Sequence, residues 1–163
     1  MERNVLSLLV ANHFGVLTRV TNLFGQRGFN IDSLAVGETE NPRFSRITIT
    51  THGDERVTNQ IKLQLAKLED VKAVVEIPEE QLFIREVVLI KAEPKKAQME
   101  AFEQAVSDFG GRLQIVEGDV YVIELTDTPD SINYFIEELQ DFHIREISRT
   151  GGVALELSRE TVY

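Results

Sequence analysis

The stretch VANHFGVLTRVTNLFGQRGFNID, residues 10–32, holds no acidic residue until its last position. It begins inside an apolar run, Val5, Leu6, Leu8, Leu9 and Val10, which reads as a buried strand. Val16, Leu17, Val20, Leu23, Phe24 and Arg27 then recur at helical spacing. Gly28 closes that segment as the residue after a helix end does. A strand, a turn at Asn12-His13-Phe14-Gly15 and a helix therefore follow one another, and the rest of the chain repeats the theme.

Outward from this stretch, Ile31, Leu34 and Val36 predict a second strand, ended by GETENP. Ile47 and Ile49 alternate with Thr and Arg in a third. Val57, Ile61, Leu65 and Leu68 mark a second amphipathic helix, and Val71, Ala73, Val75 and Ile77 a fourth strand. The order is β-α-β-β-α-β over residues 1–77. Pro78–Gln81 (PEEQ) is a polar break that reads as a linker. Residues 82–163 then start the pattern again. Phe83–Ile90 predicts a strand, Ala97–Phe109 a helix ended by Gly110-Gly111, and Leu113–Val116 and Val120–Leu125 two strands hinged at Gly118. TPDSINYFIEELQDF reads as a helix with Pro129 in its first turn, and Phe142–Ile147 as the last strand. The expected fold class is α+β, two tandem ferredoxin-like βαββαβ units. Right-handed crossovers place both helices of each unit on one sheet face and leave the other open. A bare face or edge on so small a domain predicts that the first unit dimerises.

Composition narrows the function. The chain has 163 residues, 42% hydrophobic and 27% charged, with a formal net charge of −10. Such a charge argues against nucleic acid, whose phosphates need clustered Lys and Arg, and against an anionic membrane surface. With zero Cys there is no disulfide, thiolate nucleophile or Cys-ligated metal. The first apolar run is too short to span a membrane and lacks a small-residue cleavage site, so the expected location is the cytoplasm.

No constellation of catalytic residues emerges. His13, His52 and His143 lack metal-ligand spacing and read as loop or surface histidines. Ser33, Ser45 and Ser148 lack a G-x-S-x-G context, and no phosphate-binding glycine motif occurs. The turn at residues 12–15 is the best candidate for a binding site. The free N–H groups of a helix start attract an anion, Gly15 lets the backbone approach a ligand, and the Asn12 amide can donate or accept. On spacing alone, Asn12, Gly15 and Asn30 also read as ordinary turn and cap residues. Phe14 reads as a packing residue rather than a contact.

Residues 10–54, VANHFGVLTRVTNLFGQRGFNIDSLAVGETENPRFSRITITTHGD, closely resemble the opening of the small, regulatory subunit of acetohydroxyacid synthase (acetolactate synthase). That family shows N-x-x-G-[VA]-L-[ST]-R-V at the helix start, then QRG[FY]NI[ED]SL and SR[MI]TI. The ending EISRTGGVALELSR, residues 146–159, is similar to the family's ARTG…LSRG. Three positions depart from the pattern. Ala11 stands where an acid is usual, Phe14 where Pro or Ser is common, and Val16 where some members have Ala.

The resemblance implies that residues 1–77 form an ACT domain, an amino-acid-binding module that works at dimer interfaces. It implies a non-catalytic subunit that binds a large catalytic subunit, raises its activity and makes it sensitive to valine. That partner would carry thiamine diphosphate, Mg²⁺ and FAD, and this chain no cofactor. The effector positions it implies are Asn12, Gly15, Val16 and Leu17, with Asn30 and Ile31 supplied across a dimer interface. A free-standing ACT-type sensor of another enzyme is the alternative. An acylphosphatase-like enzyme is disfavoured because the turn at residues 12–15 contains no Arg. RNA binding is disfavoured by charge and by the lack of interleaved aromatics on the middle strands.

Overall fold

The fold is given by a computed structural model that describes residues 2–159. In chain order the elements are β1 (Glu2–Ala11), α1 (Val16–Arg27), β2 (Ser33–Glu38), β3 (Phe44–Gly53), α2 (Glu55–Leu65) and β4 (Val71–Ile77). They continue as β5 (Leu82–Ala92), α3 (Met99–Asp108), β6 (Arg112–Glu117), β7 (Val120–Asp127), α4 (Pro129–Glu138), β8 (Ile144–Arg149) and β9 (Val153–Glu156). Strand order is β2-β3-β1-β4 in the first sheet and β6-β7-β5-β8 in the second, with the neighbours antiparallel. The four-strand paths of the two sheets share one order, β9 pairs in addition with β5, and the chain is a tandem of ferredoxin-like βαββαβ units of the α+β class.

In the first sheet, Leu6 lies opposite Ile49 and Leu8 opposite Ile47. These four pack with Val16, Val20 and Phe24 of α1 and Ile61 and Leu65 of α2 into one apolar cluster. Each such side chain contributes about 1.5–3 kcal/mol by leaving water. Period-2 alternation in β1 and the i, i+4, i+8 stripe of α1 put them on facing surfaces. The second unit repeats this with Val88, Ile90, Ile123, Phe102, Ile132 and Phe135.

The sequence places the boundary of the second unit at 82 and runs it to the C-terminus. The structure groups the segment from Gly152 with residues up to Phe83, and leaves Ile84–Gly151 as the second compact unit. The Leu157 N–H donates to the Gln81 carbonyl at 2.7 Å, and β9 lies against β1. The helix-free face of the first sheet is consequently not open as expected: Val5, Ser7, Leu9 and Thr48 are all buried. Linker residues Glu79–Gln81 form a single 3-10 turn.

Other differences are local. Strand β2 starts at Ser33 rather than Ile31, and Ile31 packs half-buried against the first core from the preceding loop. The segment after Thr128 divides into α4 and a 3-10 turn, Gln140–Phe142, which ends at His143 with its left-handed φ of 54°.

Candidate functional site

The β1–α1 turn is held from two sides. On one, the Asn12 N–H donates to the Arg43 carbonyl at 2.8 Å. The Asn12 side-chain Nδ2 donates to Glu38 Oε1 at 3.0 Å and to the Pro42 carbonyl at 2.9 Å. Both of those partners are acceptors, so the amide must present its NH₂ to the β2–β3 loop. That leaves Oδ1 as the part of Asn12 suited to accept from a ligand.

On the other side stands Asp70, in the loop before β4. Its carbonyl accepts from the Ala11 N–H at 2.8 Å. Its carboxylate accepts from Arg19 Nε at 2.7 Å and pairs with Arg19 Nη2. His13 Nε2 reaches Asp70 Oδ1 at 3.0 Å, while His13 Nδ1 faces the Phe14 carbonyl at 3.2 Å. Both ring nitrogens thus face oxygen atoms. Partial burial pushes the Asp70 carboxyl up, but the hydrogen bonds and charges of Arg19 and His13 outweigh it and hold the group below the ordinary carboxylate value.

Between these anchors, Gly15 precedes α1 with φ 87° and ψ −10°, a left-handed conformation in which glycine carries no steric cost. No side chain caps α1, and its first turn contains no acid. In contrast, Asp54 caps α2 by accepting from the Val57 N–H, and Thr128 caps α4 by accepting from the Ser131 N–H. The Val16 N–H donates to the His13 carbonyl at 3.4 Å, whereas the Leu17 and Thr18 N–H groups lack intrahelical partners by geometry, so this start retains its positive dipole end and those two donors. Val16 is buried in the core, whereas Leu17 is exposed. Phe14 was expected to pack but is fully exposed, because the turn projects it beyond every neighbouring element.

Asn30 and Ile31 lie elsewhere. Helix α1 has 12 residues, which separates its ends by about 18 Å. Asn30 follows its far end, donating Nδ2 to Asp32 Oδ1 at 2.8 Å and accepting through its carbonyl from Thr51 Oγ1 at 2.8 Å. Asp32 Oδ2 also meets His52 Nδ1 at 2.6 Å. Asn30 lines a cavity of about 700 Å³ with Gly28, Phe29, Thr51 and Asp54. Within one chain, Asn12, Gly15, Val16 and Leu17 are thus brought together, and Asn30 and Ile31 are not.

Sequence reasoning missed Arg19 and Asp70. Arg19 lies four positions after Gly15 and so shares its helix face, a signal available in the sequence. Asp70 is 51 positions from Arg19, and nothing local marks it. Among the described residues, no group of three or more His, Cys, Asp or Glu side chains is arranged to hold a metal ion. No described helix is long and apolar enough to cross a membrane.

Comparison with known proteins covers both halves. A family model for an acetohydroxyacid synthase small subunit-like ACT domain matches residues 6–73, and one for the small subunit of acetolactate synthase matches residues 85–158. A probable acetolactate synthase small subunit of Methanothermobacter thermautotrophicus is 37% identical over 99% of this chain and 96% of its own length. The acetolactate synthase isozyme 3 small subunit of Salmonella typhimurium is 40% identical over 94% of each chain. Among solved structures, the acetolactate synthase small subunit of Thermotoga maritima superimposes with a TM-score of 0.88 at 38% identity, covering 99% of this chain and all of that one. With one topology and both family signatures running through its two units, the chain belongs to the acetolactate synthase small-subunit family.

Proposed function

We propose that this chain is the regulatory subunit of an acetohydroxyacid synthase, working in the cytoplasm on branched-chain amino acid synthesis. It binds a catalytic large subunit, raises its activity and transmits feedback inhibition by valine. Thiamine diphosphate, Mg²⁺ and FAD belong to that partner, where pyruvate condenses with pyruvate or 2-oxobutyrate. The ACT unit, residues 1–77 in this reading, forms a homodimer whose interface binds the effector. Asn12, Gly15, Val16 and Leu17 come from one subunit, and Asn30 and Ile31 from the other.

The observation that carries the reading is the α1 start. It is the helix start in the first unit without a capping side chain, and it sits beside an Asn whose remaining polar atom is an acceptor. Donors on one side and an acceptor on the other suit the carboxylate and ammonium of an α-amino acid. The roughly 18 Å between the ends of α1 supports a second chain as the source of Asn30.

Reconstitution tests the reading. Acetolactate formation by the cognate large subunit is measured with and without this chain across a valine titration. The chain alone is expected to be inactive, to stimulate the large subunit, and to make it valine-sensitive. Turnover by the chain alone, or no stimulation, would refute the assignment.

A further inference from the structure

We infer that Arg19 is a carboxylate-recognising residue of the effector turn, oriented by Asp70. This rests on the reading of that turn as the effector site and adds to it a specificity-determining residue.

Helical side chains lean toward the N-terminus, so Arg19, one turn into α1, folds back over the helix start. A Cβ built on Gly15 would lie 3.1 Å from Arg19 Nη1. The other edge of the guanidinium faces Asp70: Nε donates to Asp70 Oδ2, and Nη2 pairs with the same oxygen. That leaves Nη1 as the guanidinium nitrogen facing the turn. Asp70 is itself fixed, since its carbonyl holds the Ala11 N–H and its second carboxylate oxygen holds His13. The cation is therefore held in one place by a planar group whose Nε and Nη2 are paired with Asp70. Gly15 contributes in two ways: it adopts the left-handed φ, and it leaves the space that a side chain would take from Nη1. Arg19 Nη1 and the backbone donors of the α1 start thus form one donor set. A carboxylate satisfies it with charge-assisted hydrogen bonds, and a neutral amide does so less well.

The test is calorimetric titration of the full chain with L-valine and with L-valinamide, which keeps the ammonium and the side chain but lacks the carboxylate. The parent is expected to prefer valine. Arg19→Met should weaken valine by about tenfold or more while leaving valinamide almost unchanged. Asp70→Asn breaks the same ion pair yet retains the cation, so it should weaken valine less and keep the preference for valine over valinamide. Equal weakening of both ligands by Arg19→Met, or valine binding unchanged from the parent, would overturn the role of Arg19 and leave the effector site standing. A parent chain that binds none of valine, leucine and isoleucine would overturn the effector reading itself.

Discussion

Gly15 concentrates two constraints in one residue. Its φ of 87° is left-handed, and the space beside its Cα belongs to Arg19 Nη1. Asp at this position would carry a carboxylate into the place proposed for the effector's own, and would pair with Arg19 there. The backbone cost is about 1 kcal/mol, and Asp visits the left-handed region more readily than most residues, so α1 should survive. Gly15→Asp is expected to reduce valine affinity on the order of a hundredfold and to abolish feedback, with activation of the large subunit mostly retained. Asn30→Ala removes one contact and adds no repulsion, so it should weaken valine less. Acetolactate formation against valine for each reconstituted variant checks both. A Gly15→Asp variant as valine-sensitive as the parent would place the ligand elsewhere, and one that also lost activation would make the turn structural.

At the scale of elements, the helix starts divide by what satisfies their first N–H groups. Helix α4 is capped by side chains: Thr128 Oγ1 accepts from the Ser131 N–H at 3.2 Å, and Asp127 accepts from Ser131 Oγ at 2.6 Å and from the Thr128 N–H at 2.7 Å. Thr128→Ala should therefore lower stability by about 1 kcal/mol in denaturant titration. The Ser131 and Thr128 bonds hold the Asp127 carboxyl below its ordinary 3.8, against burial and with help from Arg85. A carboxyl lowered on folding stabilises above its unfolded value, and that contribution disappears as pH falls through the folded one. Stability of the parent should thus drop below about pH 4 more steeply than that of Asp127→Asn, and parallel acid titrations that coincide would contradict it. Most elements were legible because their signals are local. The apolar stripe of α1 and the left-handed Gly28 after it mark its bounds, and strict alternation marks β4. Strand β9 was not, since four residues after Gly151-Gly152 give too short a period to separate from a tail. The anchor of the candidate site was equally hidden. The Asn12–Gly15 turn is contiguous in sequence, whereas Asp70 meets Arg19 only once β4 has been laid beside β1.

For the whole molecule, the return of the chain at Gly152 makes the first unit discontinuous. Val5, Ser7 and Leu9 point away from the helices, and β9 lies against the strand that bears them, with Ala154 1% exposed. An isolated N-terminal fragment ending near Ile77 would lack this cover. Dimerisation of such a fragment would then mix a native interface with newly bared apolar surface. Removing residues from Gly152 onward from the otherwise intact chain isolates the effect of the cover. Side chains of the size of Val and Leu contribute about 1.5–3 kcal/mol each when fully buried, so their partial re-exposure should cost at least a few kcal/mol. In a unit of this size that corresponds to a fall of several degrees or more in the thermal midpoint. The shortened chain should also bind an apolar dye that the parent excludes. The α1 turn sits on the far face and keeps its anchors to Asp70 and the β2–β3 loop, so valine should still bind whenever the first unit remains folded. An unchanged midpoint without dye binding would show that the returning segment adds nothing to the first unit. Lost valine binding in a folded shortened chain would instead make that segment part of the effector site.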